Sequence, residues 1–264
     1  MSSMNQSAVV TGAARGIGRG IAEQLVRRGY AVVVTDVDGA EVRRTADQVG
    51  AVAALAHDVR DEQAHRAVAE EAVKHAPLAV WVNNAGVGYD GTLAELTSDQ
   101  VQALVQVNLL GTLWGCRTAL AAFGSDGGDI VNLASLSGHG PVPGLSVYAA
   151  TKAAVVSLTT SVNAETPKKL RVHALCPDGV STAMVDAMAA NGRAKQLVAS
   201  GGAMLSVDEV ADQAVALLGT SRVVRTVPRW RGGLVRATAL APSISMRAEP
   251  LMRLQGRWAL KRKG

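Results

Sequence analysis

The chain has 264 residues, of which 48% are hydrophobic and 27 are glycine. This length suits one large α/β domain, and the composition is that of a folded protein rather than a disordered or repetitive one. Two distant cysteines, Cys116 and Cys176, argue against a disulfide framework or a zinc site. The start of the chain has no export signal, and no run of about 18 apolar residues predicts a membrane span. We therefore expect a soluble, cytoplasmic protein without a metal.

The net charge of +5 is unevenly distributed along the chain. Residues 222–264 contain eleven Lys or Arg and a single acidic residue, Glu249, whereas acidic side chains outnumber basic ones in residues 1–221. The basic character therefore belongs to a C-terminal tail. That tail contains no recognised nucleic-acid-binding module and few aromatic residues, so we expect no nucleic-acid partner.

Short runs of Val, Ile and Ala alternate with helix-length segments up to about residue 220. Such strands, apolar on both faces and each followed by a helix, predict a doubly wound parallel sheet with helices on both sides. We expect an α/β fold with one catalytic domain over residues 1–221, and the last strand and a basic tail over 222–264. The predicted strands are 7–12, 31–36, 51–59, 78–86, 128–135, 171–177 and one near 223–228; the predicted helices are 16–28, 38–48, 61–75, 97–122 and 146–165.

Residues 182–205 interrupt this alternation with a segment rich in Ala, Gly and Met. Its position after the sixth strand predicts a mobile flap over the carboxyl edge of the sheet, where open α/β sheets bind ligands. A helix restarts at Ser206, whose spacing to Glu209 predicts a capping box. The apolar side chains of the flap favour a hydrophobic substrate; they are Met184, Met188, Leu197 and Met204.

The sequence TGAARGIG, residues 11–18, connects the first strand to the first helix. Glycines at positions 12, 16 and 18 allow the backbone to approach a pyrophosphate, and the helix that follows offers N–H donors. Asp36 ends the second strand, where a carboxylate accepts the ribose hydroxyls of NAD and repels the 2'-phosphate of NADP. Two alternatives remain: Asp36 caps the next helix, or Arg15 attracts a 2'-phosphate.

Tyr148 and Lys152 lie four residues apart on a predicted helix and therefore share one of its faces. On its own this pair is also compatible with a partly buried tyrosine beside a solvated lysine. However, Ser135 ends the fifth strand, at the same edge of the sheet as the start of that helix. Asn108 lies within an otherwise apolar helix, where an asparagine is unfavourable without a specific role.

Together these motifs resemble the short-chain dehydrogenase/reductase family over residues 8 to about 220. The G-x-x-x-G-x-G spacing of the turn and the order of Asn108, Ser135, Tyr148 and Lys152 carry the resemblance. It implies a Rossmann fold and an NAD-dependent enzyme that transfers hydride between NAD(H) and a secondary alcohol or ketone. It also implies a homotetramer or homodimer built on the two long helices.

The four residues of this set are the expected catalytic group. Tyr148 would exchange the proton on the substrate oxygen, with its pKa lowered by the Lys152 ammonium. The resemblance implies that Ser135 binds the same oxygen, that Lys152 also reaches the nicotinamide ribose, and that Asn108 holds a proton-relaying water. The expected cofactor-binding residues are Gly12, Arg15, Gly16, Ile17, Gly18, Asp36, Asp58, Val59, Asn84, Ala85, Gly86, Tyr148, Lys152, Pro177, Val180 and Thr182.

Two features depart from the family pattern. Asp178 follows Pro177 where the family more often has glycine, which leaves the backbone path of that loop open. The basic tail extends beyond a typical member. A helix from Pro250 would have an apolar face and a basic face. The apolar face would contain Leu251, Leu254 and Trp258, and the basic face Arg253, Arg257 and Lys261. This helix would contact anionic lipid or an acidic partner, or else pack over the substrate entrance or a neighbouring subunit.

Some alternatives stay open at this point. His139 either faces the substrate or is solvated. The chain could also be a non-catalytic dinucleotide-binding regulator or scaffold, or a membrane-surface reductase of lipid-like substrates.

Overall fold

The structure is a computed structural model and describes residues 5–182, 185, 192–200, 204–240 and 249–261. Seven parallel strands form one sheet with the order β3-β2-β1-β4-β5-β6-β7. The chain order reverses between β1 and β4, which opens a crevice at their carboxyl ends. This confirms the predicted doubly wound fold. The strands are β1 Ser7–Thr11, β2 Ala31–Asp36, β3 Ala53–Ala56, β4 Leu78–Asn83, β5 Gly128–Leu133, β6 Leu170–Pro177 and β7 Val224–Val227.

Helices cover both faces of the sheet. The long helix predicted over 97–122 contains a π-helical segment, Leu104–Leu110, between α4 and α5. The predicted capping box is confirmed, because Ser206 Oγ accepts a bond from Glu209 N and the Glu209 carboxylate accepts one from Ser206 N. The helices are α1 Gly16–Arg27, α2 Gly39–Val49, α3 Glu62–His75, α4 Ser98–Ala103, α5 Gly111–Ala122, α6 Ser146–Glu165, α7 Arg193–Ala199, α8 Val207–Val215, α9 Arg229–Ala239 and α10 Glu249–Lys261.

The core follows from the alternation of side chains along buried strands. Val10 of β1 packs into a cluster with Ile21 of α1 and Val210 of α8, on one face of the sheet. Its neighbour Val9 faces the other way, into a cluster that includes Ala72 of α3. Because both faces are covered, these strands are apolar throughout.

The third strand is shorter than predicted, because β3 ends at Ala56 rather than continuing to residue 59. The backbone N–H of His57 still donates to Asp36 O. The next residue, Asp58, then accepts a hydrogen bond from Arg60 N, which turns the chain away from the sheet. The edge strand therefore stops where this turn begins.

The C-terminal tail packs on the predicted flap. A Cβ atom at Gly256 of α10 would lie 1.8 Å from Gln196 O of α7, so the two helices touch through their backbones. Arg253 Nε also donates to Gln196 Oε1 at 3.2 Å. Met184 and Met188 lie outside the described residues, and the mobility of the flap stays a prediction. Within the described ranges, no helix is both long and apolar enough to cross a membrane.

Candidate active site

The glycine turn is tightly packed against the end of β4. Gly12 and Gly16 have positive φ angles of 62° and 58°, in the left-handed region that glycine adopts most readily. A Cβ atom at Gly18 would lie 2.3 Å from Gly12 O and 2.4 Å from Asn84 Nδ2. Substitution of Gly18 would therefore push the helix away from the turn. Ile17, beside it, packs against the core, and Arg15 is exposed.

Helix α1 begins without a side-chain cap. Its N-cap residue, Arg15, makes no capping hydrogen bond, and its first turn contains no acidic residue. In contrast, α2, α3 and α8 are capped by the side chain of the residue before the helix, which accepts at least one backbone N–H bond; these residues are Asp38, Asp61 and Ser206. The N–H groups of the first turn of α1 are therefore free to donate to another acceptor. A pyrophosphate fits both the direction of these N–H groups and the positive end of the helix dipole.

Asp36 lies beside this turn, at the carboxyl end of β2. Its Oδ2 accepts from Ala14 N at 3.1 Å and its Oδ1 accepts from Asp38 N at 3.2 Å. The cap of α2 is Asp38, which accepts from Ala40 N and Glu41 N. The alternative that Asp36 caps this helix is therefore wrong, and its carboxylate is left at the sheet edge.

Asn84 acts on the turn through hydrogen bonds. Its Nδ2 donates to Thr11 O at 2.9 Å and to Gly12 O at 2.8 Å, and its backbone N–H donates to Thr11 Oγ1. Ala85 N donates to the same hydroxyl. The side chain of Asn84 thus holds the glycine turn in place, so we interpret it as a positioning residue for any cofactor bound there.

Of the two expected cofactor-binding residues after β3, Asp58 is in an exposed ion pair and Val59 is buried. Asp58 forms an exposed ion pair with Arg60, so part of its hydrogen-bonding capacity is already used within the chain. Val59 is buried, and its side chain would lie 2.8 Å from a Cβ at Gly111. Val59 therefore fixes the distance between this loop and α5, and its cofactor contact stays a prediction.

Asn108 is fully buried in the π-helical segment. Its Oδ1 accepts from Val87 N at 2.8 Å, and its Nδ2 donates to Val87 O at 2.9 Å and to Thr151 Oγ1 at 3.3 Å. The side-chain amide therefore ties the loop after β4 to helix α6. These bonds explain why an asparagine is present in this apolar helix. The water-holding role expected for Asn108 stays a prediction.

Three of the four expected catalytic residues meet at the carboxyl edge of β5. The hydroxyl of Ser135 hydrogen-bonds with Tyr148 and accepts a bond from Ser137 Oγ at 2.8 Å. Lys152 Nζ donates to Leu133 O at 2.7 Å and lies 5.8 Å from the centroid of the Tyr148 ring. A Cβ at Gly86 would lie 3.6 Å from Lys152 Nζ and 3.2 Å from Asn108 Oδ1. The end of β4 thus borders the same group.

The electrostatics of Tyr148 differ from the prediction. Burial raises the pKa of Tyr148 above its usual 10.0, and the hydrogen bond with Ser135 only partly opposes this effect. Burial also lowers the pKa of Lys152 to about 8. The prediction that Lys152 lowers the pKa of Tyr148 is therefore wrong for the surroundings that this chain provides, because removal from water disfavours both charged forms.

The loop after Pro177 contains the departure at Asp178. Asp178 N donates to Val227 O at 2.8 Å, and its carboxylate forms a 2.7 Å ion pair with Arg231 Nε in α9. Burial raises the pKa of Asp178, while the Arg231 charge acts in the opposite direction. At Asp178 the backbone therefore continues alongside β7, and the charged partner of its carboxylate, Arg231, belongs to the tail. The two departures from the family pattern, Asp178 and the basic tail, therefore contact each other.

Beyond Asp178 the loop returns to the glycine turn. Val180 is buried and pairs with Leu205 in a parallel bridge. The methyl group of Thr182 would lie 3.9 Å from a Cβ at Gly16. Thr182 and the turn therefore border the same crevice, and their shared cofactor contact stays a prediction.

A buried polar network behind the site was not predicted. Asn83 Nδ2 donates to Asn132 Oδ1 at 2.9 Å, and Asn132 Nδ2 donates to Thr159 Oγ1 at 3.0 Å. Trp81 Nε1 donates to Asn83 Oδ1 at 2.8 Å. The sequence signal for this network is the presence of asparagines inside otherwise apolar strands, because buried side-chain amides require hydrogen-bond partners. The network joins β4, β5 and α6 beneath the expected catalytic group.

Comparison with known proteins identifies the family. The profile of the short chain dehydrogenase family matches residues 6–193. The chain belongs to this family. It is also 36% identical over 194 residues to a sorbitol dehydrogenase of Cereibacter sphaeroides, a match that covers 69% of this chain and 76% of that protein.

Solved structures of short-chain dehydrogenases share the fold. The chain matches a short chain dehydrogenase/reductase from Burkholderia phymatum in complex with NAD, with a TM-score of 0.78, 25% identity, and coverage of 93% of this chain and 97% of that one. It matches a 3-ketoacyl-(acyl-carrier-protein) reductase from Brucella melitensis complexed with NADH, with a TM-score of 0.76, 30% identity, and coverage of 86% and 98%. The protein is therefore a Rossmann-fold oxidoreductase of a family that uses nicotinamide cofactors and small-molecule substrates.

Proposed function

We propose that this short-chain dehydrogenase interconverts a secondary alcohol and a ketone, with NAD(H) as its cofactor. The observation that carries the proposal is the convergence of Ser135, Tyr148 and Lys152 at the carboxyl edge of the sheet. The uncapped start of α1 opens onto the same edge. Relatives named for alcohol oxidation and for ketone reduction support both directions of the reaction.

Tyr148 exchanges the proton on the substrate oxygen, and Ser135 holds that oxygen by a hydrogen bond. A bound nicotinamide would supply or accept the hydride, and its oxidised ring would add a positive charge that favours the phenolate. With a pKa raised above 10.0, Tyr148 is protonated at neutral pH in the protein alone and can donate its proton during ketone reduction. Lys152, fixed by Leu133 O, places its ammonium near this exchange and binds the ribose of the cofactor.

NAD is the proposed cofactor rather than NADP because of Asp36. Its carboxylate stands at the end of β2 and accepts a bond from Ala14 N in the turn. A 2'-phosphate would face this negative charge, whereas ribose hydroxyls would donate to it. Arg15 is exposed and offers a weaker attraction for a phosphate.

Location and assembly follow as further parts of the proposal. Both cysteines are free and buried, which suits a reducing cytoplasm. Family members commonly form oligomers, and we propose a homodimer or homotetramer built on the long helices over 98–122 and 146–165. We also propose that the substrate is largely apolar, because the sequence of the flap is rich in Met.

The decisive experiment is a panel of alcohols and ketones assayed with NAD(H) and NADP(H) in parallel. We expect turnover of at least one secondary alcohol or ketone, with higher kcat/KM for NAD(H). Tight NADH binding without turnover across the panel would contradict the proposal. It would instead favour a dinucleotide-binding regulator or scaffold.

A second candidate function, action at a membrane surface, is favoured by the exposed side chains of the tail. In α9, Trp230 and Leu234 are 63% and 53% exposed; in α10, Leu254 and Trp258 are 51% and 64% exposed. Each pair is four residues apart and therefore lies on one face of its helix. Exposed Trp and Leu beside arginines are typical of helices that lie on anionic lipid.

Sedimentation with vesicles tests this second candidate. We expect the protein to bind phosphatidylglycerol vesicles more strongly than phosphatidylcholine vesicles, and the double substitution Leu254→Ser and Trp258→Ser to weaken binding. Leu93→Ser, at a side chain that is 65% exposed outside the tail, is the matched control. Equal binding by wild type and the double variant would contradict a membrane role for α10.

A further inference from the structure

Helix α9 of the tail packs on the loop that follows the catalytic Ser135. A Cβ atom at Gly140 would lie 2.9 Å from Val235 Cγ1 of α9, and the helix also contacts the 3-10 turn Leu136–His139. The next residue of the helix, Arg236, is therefore held beside this turn. Its Nη2 lies 3.3 Å from His139 Nε2.

The positive charge of Arg236 is not neutralised by this contact. Burial and, to a smaller extent, the Arg236 charge lower the pKa of His139 to about 4, so the ring is neutral at physiological pH and its Nε2 accepts the bond. Within the part of the chain that the structure describes, no carboxylate forms an ion pair with Arg236. Arg231, five residues earlier, is instead paired with Asp178.

The charge of Arg236 also acts on a thiol that contacts Ser135. Cys176 is buried near the end of β6, and its thiol is hydrogen-bonded with the backbone of Ser135. Burial raises the pKa of this thiol to about 12, and the charges of Arg236 and Lys152 both oppose that rise.

The strand order places Arg236 away from the glycine turn and Asp36. The glycine turn follows β1 and Asp36 ends β2, on one side of β5, whereas α9 follows β7, on the other side. Ser135 follows β5 and lies between them. A group bound by Arg236 would therefore lie across the reacting centre from the expected pyrophosphate site.

We propose that Arg236 is a substrate-binding residue that contacts a carboxylate or phosphate group of the substrate. This inference rests on the proposed alcohol and ketone chemistry, and it makes the substrate an anionic ketone or alcohol. A guanidinium forms two parallel hydrogen bonds with either anion, and these charge-assisted bonds both strengthen and orient binding. The neutral His139 holds the guanidinium without competing for its charge.

The test compares levulinate, its methyl ester and a keto phosphate monoester of similar length. We expect Arg236→Gln to lower the ratio of kcat/KM for an anionic ketone to that for the ester by about 10- to 100-fold. Arg229→Gln, at an exposed arginine that begins the same helix, is the matched control and should leave the ratio unchanged. The two anionic substrates distinguish a carboxylate from a phosphate as the preferred group.

A binding measurement separates this inference from the proposed catalysis. The Tyr148→Phe protein loaded with NADH should bind the anionic ketones more tightly than the ester by calorimetry, and Arg236→Gln in that background should remove the difference. No preference for the anions, or a preference that survives Arg236→Gln, would overturn the assignment. If the wild-type enzyme turned over none of these ketones but this binding preference were present, the result would count against the catalytic proposal alone.

Discussion

Lys152 Nζ donates a 2.7 Å hydrogen bond to Leu133 O, the last residue of β5. The ammonium is thus positioned by the sheet itself, and the Tyr148 ring lies 5.8 Å away at its centroid. Because the bond is to a backbone carbonyl, the position of Lys152 does not depend on the tyrosine hydroxyl. Removal of that hydroxyl should therefore separate proton transfer from cofactor binding.

Tyr148→Phe should lower kcat by about 10²- to 10⁴-fold, the usual contribution of a positioned acid or base. NADH affinity should stay within about threefold of wild type, because Lys152 keeps its backbone anchor. Turnover assays and fluorescence titration with NADH measure the two effects. Tyr30→Phe, at a tyrosine beside β2, is the control and should preserve both. Wild-type kcat in Tyr148→Phe would remove Tyr148 from the mechanism.

Asp36→Ser should shift cofactor preference toward NADP by about 10- to 100-fold in the ratio of kcat/KM values, because a repulsive carboxylate is lost. Asp38→Ser tests whether this effect belongs to Asp36, since Asp38 caps α2 two residues away. The control should leave the preference unchanged, with little loss of stability because serine is also a favourable cap. Equal shifts in both variants would show that general charge, rather than ribose recognition, sets the preference.

Gly18→Ala should abolish measurable NADH binding, because its Cβ would lie 2.3 Å from Gly12 O and displace the turn. Gly233→Ala is the matched substitution in α9, where a Cβ has no neighbour within 4 Å. This control should bind NADH normally and unfold at the same or slightly higher temperature, since alanine favours a helix by about 1 kcal/mol over glycine. Normal NADH binding by Gly18→Ala would show that the turn does not hold the cofactor.

We expect His57 to make the stability of the protein depend on pH. Burial, followed by the charge of His65, lowers the pKa of His57 to about 4 from 6.5. The folded state therefore holds a neutral ring, and its contribution is complete above pH 6.5 and is lost as the pH falls from 6.5 toward 4. The loss is at most about 3 kcal/mol.

Urea unfolding at about pH 7.5 and about pH 5 measures this loss. His57→Asn should show a smaller drop in the free energy of unfolding between the two pH values than wild type. His75→Asn, at a partly exposed histidine that contacts Glu71, should retain most of the wild-type drop. The same drop in His57→Asn and wild type would exclude His57 as its source.

The sequence predicts the fold well, because the fold depends on local patterns, and the same patterns predict which residues form the site. Apolar strands followed by helices define the sheet, and the spacing of Ser206 and Glu209 defines a helix start. The π-helical segment around Asn108 was not predicted, and the Asn108 amide within it bonds to Val87, 21 residues earlier, a contact that no local pattern shows. The raised pKa of Tyr148 likewise depends on burial by distant parts of the chain.

The ion pair between Asp178 and Arg231 has a thermodynamic consequence for regulation. It joins the loop after β6, where the cofactor is expected, to the first helix of the basic tail. If cofactor binding changes the affinity of the tail for a ligand through this pair, then that ligand must change cofactor affinity by the same factor. A surface or partner that recruits the tail would thereby act as an effector of the enzyme, and the cofactor in turn would regulate recruitment.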